Sequence, residues 1–173
     1  MDKQQARDSL DTISAARRRA AELRNYRDSG SIILAWGIAW LLGFGAQQLF
    51  VNAAPVIWIM AWVGALGWTF TRPRNSNDGR TLATWLVALA FIFLLLAVTN
   101  ADERLAGMIF GLVLAASYAA LGIWAGKRFL ALAAVVLVTA CFSWWLCPQW
   151  LFGFLALGGG GGLIVGGAWL RRP

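Results

Sequence analysis

The sequence predicts an all-α membrane protein. The expected form is a six-transmembrane-helix bundle of three helical hairpins, with a basic amphipathic helix on the cytoplasmic side at its N-terminus. Three observations predict it. Of the 173 residues, 60% are apolar and only 13% charged, about half the charge of a soluble domain. The apolar residues fall in six runs, each near the roughly 20 residues that a spanning helix needs. The basic residues sit almost wholly in every second gap between those runs, the pattern expected when Lys and Arg stay on the cytoplasmic side.

Two units follow: residues 1–30 as a cytoplasmic basic helical segment and 31–172 as the six-span bundle. The first carries Lys3, Arg7, Arg17, Arg18, Arg19, Arg24 and Arg27. Asp2 and Gln5 stand in capping-box positions. Ala6, Leu10, Ile13, Ala16, Ala20 and Leu23 recur at helical spacing, and Asp28-Ser29-Gly30 supplies a stop. A cleavable signal peptide is not expected, because the first apolar run follows this long polar segment and has the length of a full span.

The first span is expected at 31–51, turning at Asn52-Ala53-Ala54-Pro55 into the second at 56–70. A polar loop with Arg72, Arg74 and Arg80 leads to the third at 81–98. Asn100 to Arg104 turns the chain into the fourth, 105–125, which Gly126-Lys127-Arg128 closes. The fifth is 129–146, and Cys147-Pro148-Gln149 leads to the sixth, 150–170. Numbered this way, fourteen of the fifteen Lys and Arg fall on one side: seven, three, two and two. Arg104 alone faces the other. Both termini are therefore expected in the cytoplasm, and the size and short loops suit a bacterial inner membrane. Trp68, Trp85, Trp124 and Trp169 lie near the basic ends, with Trp58, Trp144, Trp145 and Trp150 near the opposite ends, as interfacial belts require. The hairpins 31–74, 81–128 and 129–172 have similar lengths, and each returning helix ends in Trp and a basic pair, which suggests a threefold internal repeat.

Composition excludes several chemistries. There is no histidine, so the commonest metal ligand and the usual neutral-pH titrating group are missing. No Asp, Glu, Lys or Arg falls inside a span, which argues against proton relays, pumps and voltage sensors and against an intramembrane aspartyl protease. Cys141 and Cys147, six apart, would stand roughly 9 Å apart along a helix and on different faces, so no disulfide is expected. No cofactor, no metal and no enzyme activity are expected. The net charge of +7 serves topology, and nucleic-acid binding is disfavoured because no supporting motif accompanies it.

Two features remain. Gly158, Gly162 and Gly166, within and after a five-glycine run, lie four apart on one face, as do Gly107 and Gly111 with Ala115 and Ala119. In lipid such faces bring helix backbones together; a hinge lining a substrate path is the sharper reading. The other is the N-terminal stripe. Leu10, Ile13, Ala20 and Leu23, flanked by Arg17, Arg18, Arg24 and Arg27, suit docking to a cytoplasmic protein partner, to another subunit in a homo-oligomer, or to anionic lipid of the bilayer. The function expected is a non-enzymatic membrane scaffold or regulator; the alternative is a small transporter or channel subunit for an uncharged or lipid-like solute.

Overall fold

The structure, a computed structural model, describes residues 3–71 and 78–172. Among the described residues it is all-helical, without strands. The elements are α1 (Lys3–Leu49), α2 (Ala54–Phe70), α3 (Asp78–Thr99), α4 (Glu103–Trp124) and α5 (Arg128–Leu146). After a 3₁₀ turn (Pro148–Trp150), α6 (Leu151–Phe154), a π-helical segment (Leu155–Gly160) and α7 (Gly161–Leu170) run on as one C-terminal rod. Four stretches are long and apolar enough to cross a membrane: Ser29–Leu49, Glu103–Ile123, Arg128–Leu146 and Pro148–Leu170. Ala54–Phe70 and Ala83–Thr99 are apolar but shorter.

One expectation is corrected. Asp28-Ser29-Gly30 does not stop the helix, and α1 runs unbroken through it for 47 residues. An interior glycine costs a helix only about 1 kcal/mol, and Asp or Ser less. A break at the edge of the Ser29–Leu49 apolar stretch would strand backbone polar groups, at several kcal/mol each in hydrocarbon. Gly30 is also used for contact: a Cβ there would lie 2.7 Å from the Gly167 carbonyl oxygen and 3.2 Å from the Leu170 Cβ. The glycine is a point of close approach rather than a terminator. Asp2, the expected cap, lies outside the described residues.

The remaining ends follow local chemistry. Pro55 opens α2 at its first turn, where its missing N–H is no loss. Asn100 takes a left-handed backbone, φ 45°, and the Ala101 N–H bonds back to the Leu96 carbonyl at 3.3 Å. That six-to-one bond closes α3 as a Schellman motif. Asp102 then caps α4, its carboxylate accepting the Leu105 N–H at 2.8 Å, a true side-chain N-cap.

The core lies where α1, α4, α5 and the C-terminal rod meet. Val136, Ala140, Leu155, Leu163 and Leu170 are almost wholly buried there. The rod packs most extensively on α1, and α4 on α5, while α3 contacts only α4 extensively. Peripheral α2 and α3 turn Val56, Ile59, Met60, Val63, Leu86, Val87, Phe93 and Val98 outward. In water such a surface would be a liability; in lipid it costs nothing.

Candidate functional site

The docking stripe foreseen in α1 splits in two at Tyr26. Before it, Leu10 is 65% and Ile13 50% exposed, and Ala16, Arg17 and Ala20 are exposed with them; Arg27, just after it, is exposed too. Arg18, Leu23 and Arg24 lie outside the residues whose side chains are described. From Tyr26 on, Gly30, Ile33, Gly37, Trp40 and Phe44 form a buried seam at alternating four- and three-residue spacing. At about 100° per residue, Leu10 and Ile13 stand roughly 160° and 100° round the helix from Gly30. They are not a continuation of the seam that holds the bundle.

Tyr26 anchors the projecting half. Only 4% of it is exposed. Its ring packs on Phe129, centroids 5.8 Å apart, and lies under the Arg128 guanidinium, 5.0 Å from the centroid. The Arg128 N–H points at the phenol oxygen at 3.5 Å, a weak bond by its length. The phenol fills a slot at Gly126, where any Cβ would collide with it and where φ is +131°, a conformation that glycine adopts without strain. Trp169 covers the same guanidinium from α7, 5.2 Å away, and the Arg128 Nη1 donates to the Arg172 carbonyl at 3.1 Å. One arginine thus ties the bases of α1, α5 and α7. A cation over an aromatic face gives about 0.5–1 kcal/mol when exposed and about 2 when desolvated. The sequence analysis missed this knot. Its signal was a lone tyrosine in a basic segment, and a Gly-Lys-Arg turn read only as a stop.

The glycine faces divide between neighbours. Gly158, Gly162 and Gly166 all address α5, where added Cβ atoms would meet Thr139, Val135 and Leu132. Gly107 faces Phe152 and Leu155, and Gly111 faces Ala140 and Leu155. A second seam lies on the other side of the rod, facing α1. Gly37 would meet the Ile164 nitrogen at 2.8 Å and the Gly160 oxygen at 2.9 Å; Gly160 would meet the Leu41 nitrogen at 2.6 Å; Gly167 would meet the Gly30 oxygen at 2.7 Å. Backbone therefore meets backbone along α1 and the rod, at glycines seven apart on each. The five-glycine run allows the rod to lie between α1 and α5 at once.

Polar side chains clasp the opposite end. The Trp58 Nε1 donates to Gln47 at 3.3 Å, and the Gln47 Nε2 donates to Glu103 at 3.4 Å. The Gln48 Nε2 donates to the Gln149 carbonyl at 3.2 Å, and its Oε1 accepts the Gly153 N–H at 3.1 Å. That N–H belongs to the first turn of α6, which has no helical acceptor for it. The hydroxyls within the bundle donate locally rather than across helices. Ser117, Thr139 and Ser143 each donate to a carbonyl of their own helix, Val113, Val135 and Ala140, at 2.7–2.9 Å. A turn of helix offers a nearby acceptor at no cost in register.

Among the described residues, no three His, Cys, Asp or Glu side chains gather as a metal site would require. Cys141 and Cys147 are both free and half-buried. A groove of about 470 Å³ runs between α3 and α4, with Thr84 and Ser117 the polar side chains in a lining of Ala, Val and Phe. Compared with known proteins, the chain matches no family model, no curated protein and no solved structure.

Proposed function

We propose that this chain is a non-enzymatic integral membrane scaffold, whose basic N-terminal helix engages a protein partner in the cytoplasm. In this reading six helices cross a bacterial inner membrane, both termini are cytoplasmic, and the bundle is the base of the projecting arm. The observation that carries the proposal is the continuity of α1 through Gly30, with Leu10 and Ile13 exposed beyond it.

Continuity favours a protein over the lipid surface. At 1.5 Å per residue, Leu10 stands about 30 Å beyond Gly30 along a straight helix. The field of an anionic leaflet fades within a Debye length of about 8–10 Å. An arm lying on the leaflet would have to bend at Asp28–Gly30, where α1 is helical throughout. Leu10 and Ile13 would each gain roughly 1.5–3 kcal/mol from burial, and the basic residues near them would steer an acidic partner. The transporter reading draws its support from the π-helical turn at Leu155–Gly160, since such turns often mark functional sites. The largely apolar lining of the α3–α4 groove gives a polar solute little to bind.

The test is recovery of partners from mild detergent by the full chain and by Leu10→Asp/Ile13→Asp, which leaves every Lys and Arg in place. Loss of a specific protein, with normal membrane insertion, is expected. Identical partner recovery by parent and variant would leave the arm as a topogenic tail and overturn the proposal.

A further inference from the structure

The arm's base gathers positive charge that no carboxylate among the described residues neutralises. Arg27 follows the buried Tyr26, Lys127 and Arg128 open α5, and Arg171 and Arg172 follow α7. These segments are in contact. The Arg128 guanidinium lies against Tyr26 and Trp169 and bonds the Arg172 carbonyl. The Arg171 side chain runs beside α1, its Cγ 2.8 Å from where a Cβ of Gly30 would sit. Arg27, Lys127, Arg171 and Arg172 are exposed. Among the described residues none of the five forms an ion pair with a carboxylate. Counting Asp28 against them still leaves an excess of four.

We propose that this junction binds the phosphate headgroup of an anionic phospholipid from the leaflet at this end of the bundle. Arg128 is the fixed element. Two rings flank its guanidinium, and the Arg172 carbonyl takes one of the five N–H donors. The rest keep the fork geometry that matches a phosphate oxygen pair. The exposed cations around it supply attraction without needing fixed positions. Trp169, 42% exposed, sits at the level where a headgroup meets its acyl chains. Basic pockets between spanning helices at a cytoplasmic surface are where such headgroups bind. This site is separate from the Leu10–Ile13 tip and does not depend on a protein partner. A bound lipid would brace the same three segments that set the angle of the arm.

The experiment is native mass spectrometry of the full chain released from mild detergent, with phosphatidylglycerol or phosphatidylcholine added, each with and without inorganic phosphate. Phosphatidylglycerol should be retained in preference. Arg171→Gln/Arg172→Gln keeps Arg128 and the carbonyl of residue 172, and should weaken that retention roughly 30-fold at low salt, from about fivefold per cation. Arg128→Gln should also weaken it. Arg17→Gln/Arg18→Gln/Arg19→Gln, on the arm, should leave it unchanged. Equal retention of the two lipids would overturn the proposal, as would full retention in both junction variants or a loss confined to the arm variant. Displacement by millimolar inorganic phosphate would mean that the site takes the free anion, and would overturn the lipid assignment.

Discussion

At the scale of single residues, what surrounds a glycine decides what its replacement does. A Cβ on Gly37 would press on the Ile164 nitrogen and the Gly160 oxygen, both backbone atoms. A Cβ on Gly162 would press on the Cγ1 of Val135 at 2.7 Å, the end of a side chain. Backbone held in a helix moves only with the whole rod, whereas a valine methyl can yield. Overpacking typically costs about 1–3 kcal/mol, and Gly37→Leu should lie at or above the top of that range. Gly162→Leu should destabilise less, and Gly45→Ala, with nothing within 4 Å, should be neutral or stabilising. Thermal midpoints in one detergent rank the three, and Gly162→Leu proving the most damaging would refute the backbone seam. Spacing within the rod is enough to expose the Gly158, Gly162 and Gly166 face. The Gly30–Gly167 and Gly37–Gly160 pairings are not legible that way, because each joins positions over a hundred residues apart and no local period marks them.

At the scale of elements, punctuation was legible and continuity was not. Helix ends set by Pro55, Asn100-Asp102 and Gly126 fall within a few residues of where the sequence places them, because proline, a left-handed asparagine and an N-cap aspartate act locally. The stop expected at Asp28-Ser29-Gly30 failed because a glycine that ends a helix and a glycine that admits a neighbour look alike in sequence. The Tyr26–Arg128–Trp169 knot was hidden for a related reason, since its three members come from three helices. The continuity of α1 has a measurable consequence. Spin labels at Ser14 and Leu49, both exposed, with Cys141 and Cys147 replaced by Ser, span 35 residues of one helix. A straight helix sets them about 53 Å apart, and a narrow distribution near that distance is expected. Ser29→Pro, which removes a helical N–H and clashes with the preceding turn, should broaden and shorten it. A broad, short distribution in the unmutated protein would mean that the arm hinges at its base and would remove the main argument against leaflet binding.

At the scale of the whole molecule, topology turns on the path of α2 and α3. The 17 residues of Ala54–Phe70 rise about 26 Å, slightly less than a hydrocarbon core of roughly 30 Å. Mismatch of a few ångström costs only fractions of a kcal/mol per ångström, so a short helix can still cross. The alternative is a pair that lies along the opposite surface without crossing. Both paths leave the ends of the chain on the same side, so labelling the termini cannot separate them. The loop between the two helices can, because crossing puts it on the side of the N-terminus and a surface-lying pair keeps it opposite. Its arginines favour crossing. Arg72, Arg74 and Arg80 would have to be translocated in the surface-lying arrangement, against the retention of Lys and Arg in short loops. We therefore expect a cysteine at Ser76, in a background lacking Cys141 and Cys147, to resist an impermeant thiol reagent in intact cells and to react once the membrane is opened. A cysteine at Asn52, in the exposed turn before α2, should react in intact cells. Reaction at both positions in intact cells would leave only the four longer helices crossing, and reaction at Ser76 alone would invert the molecule.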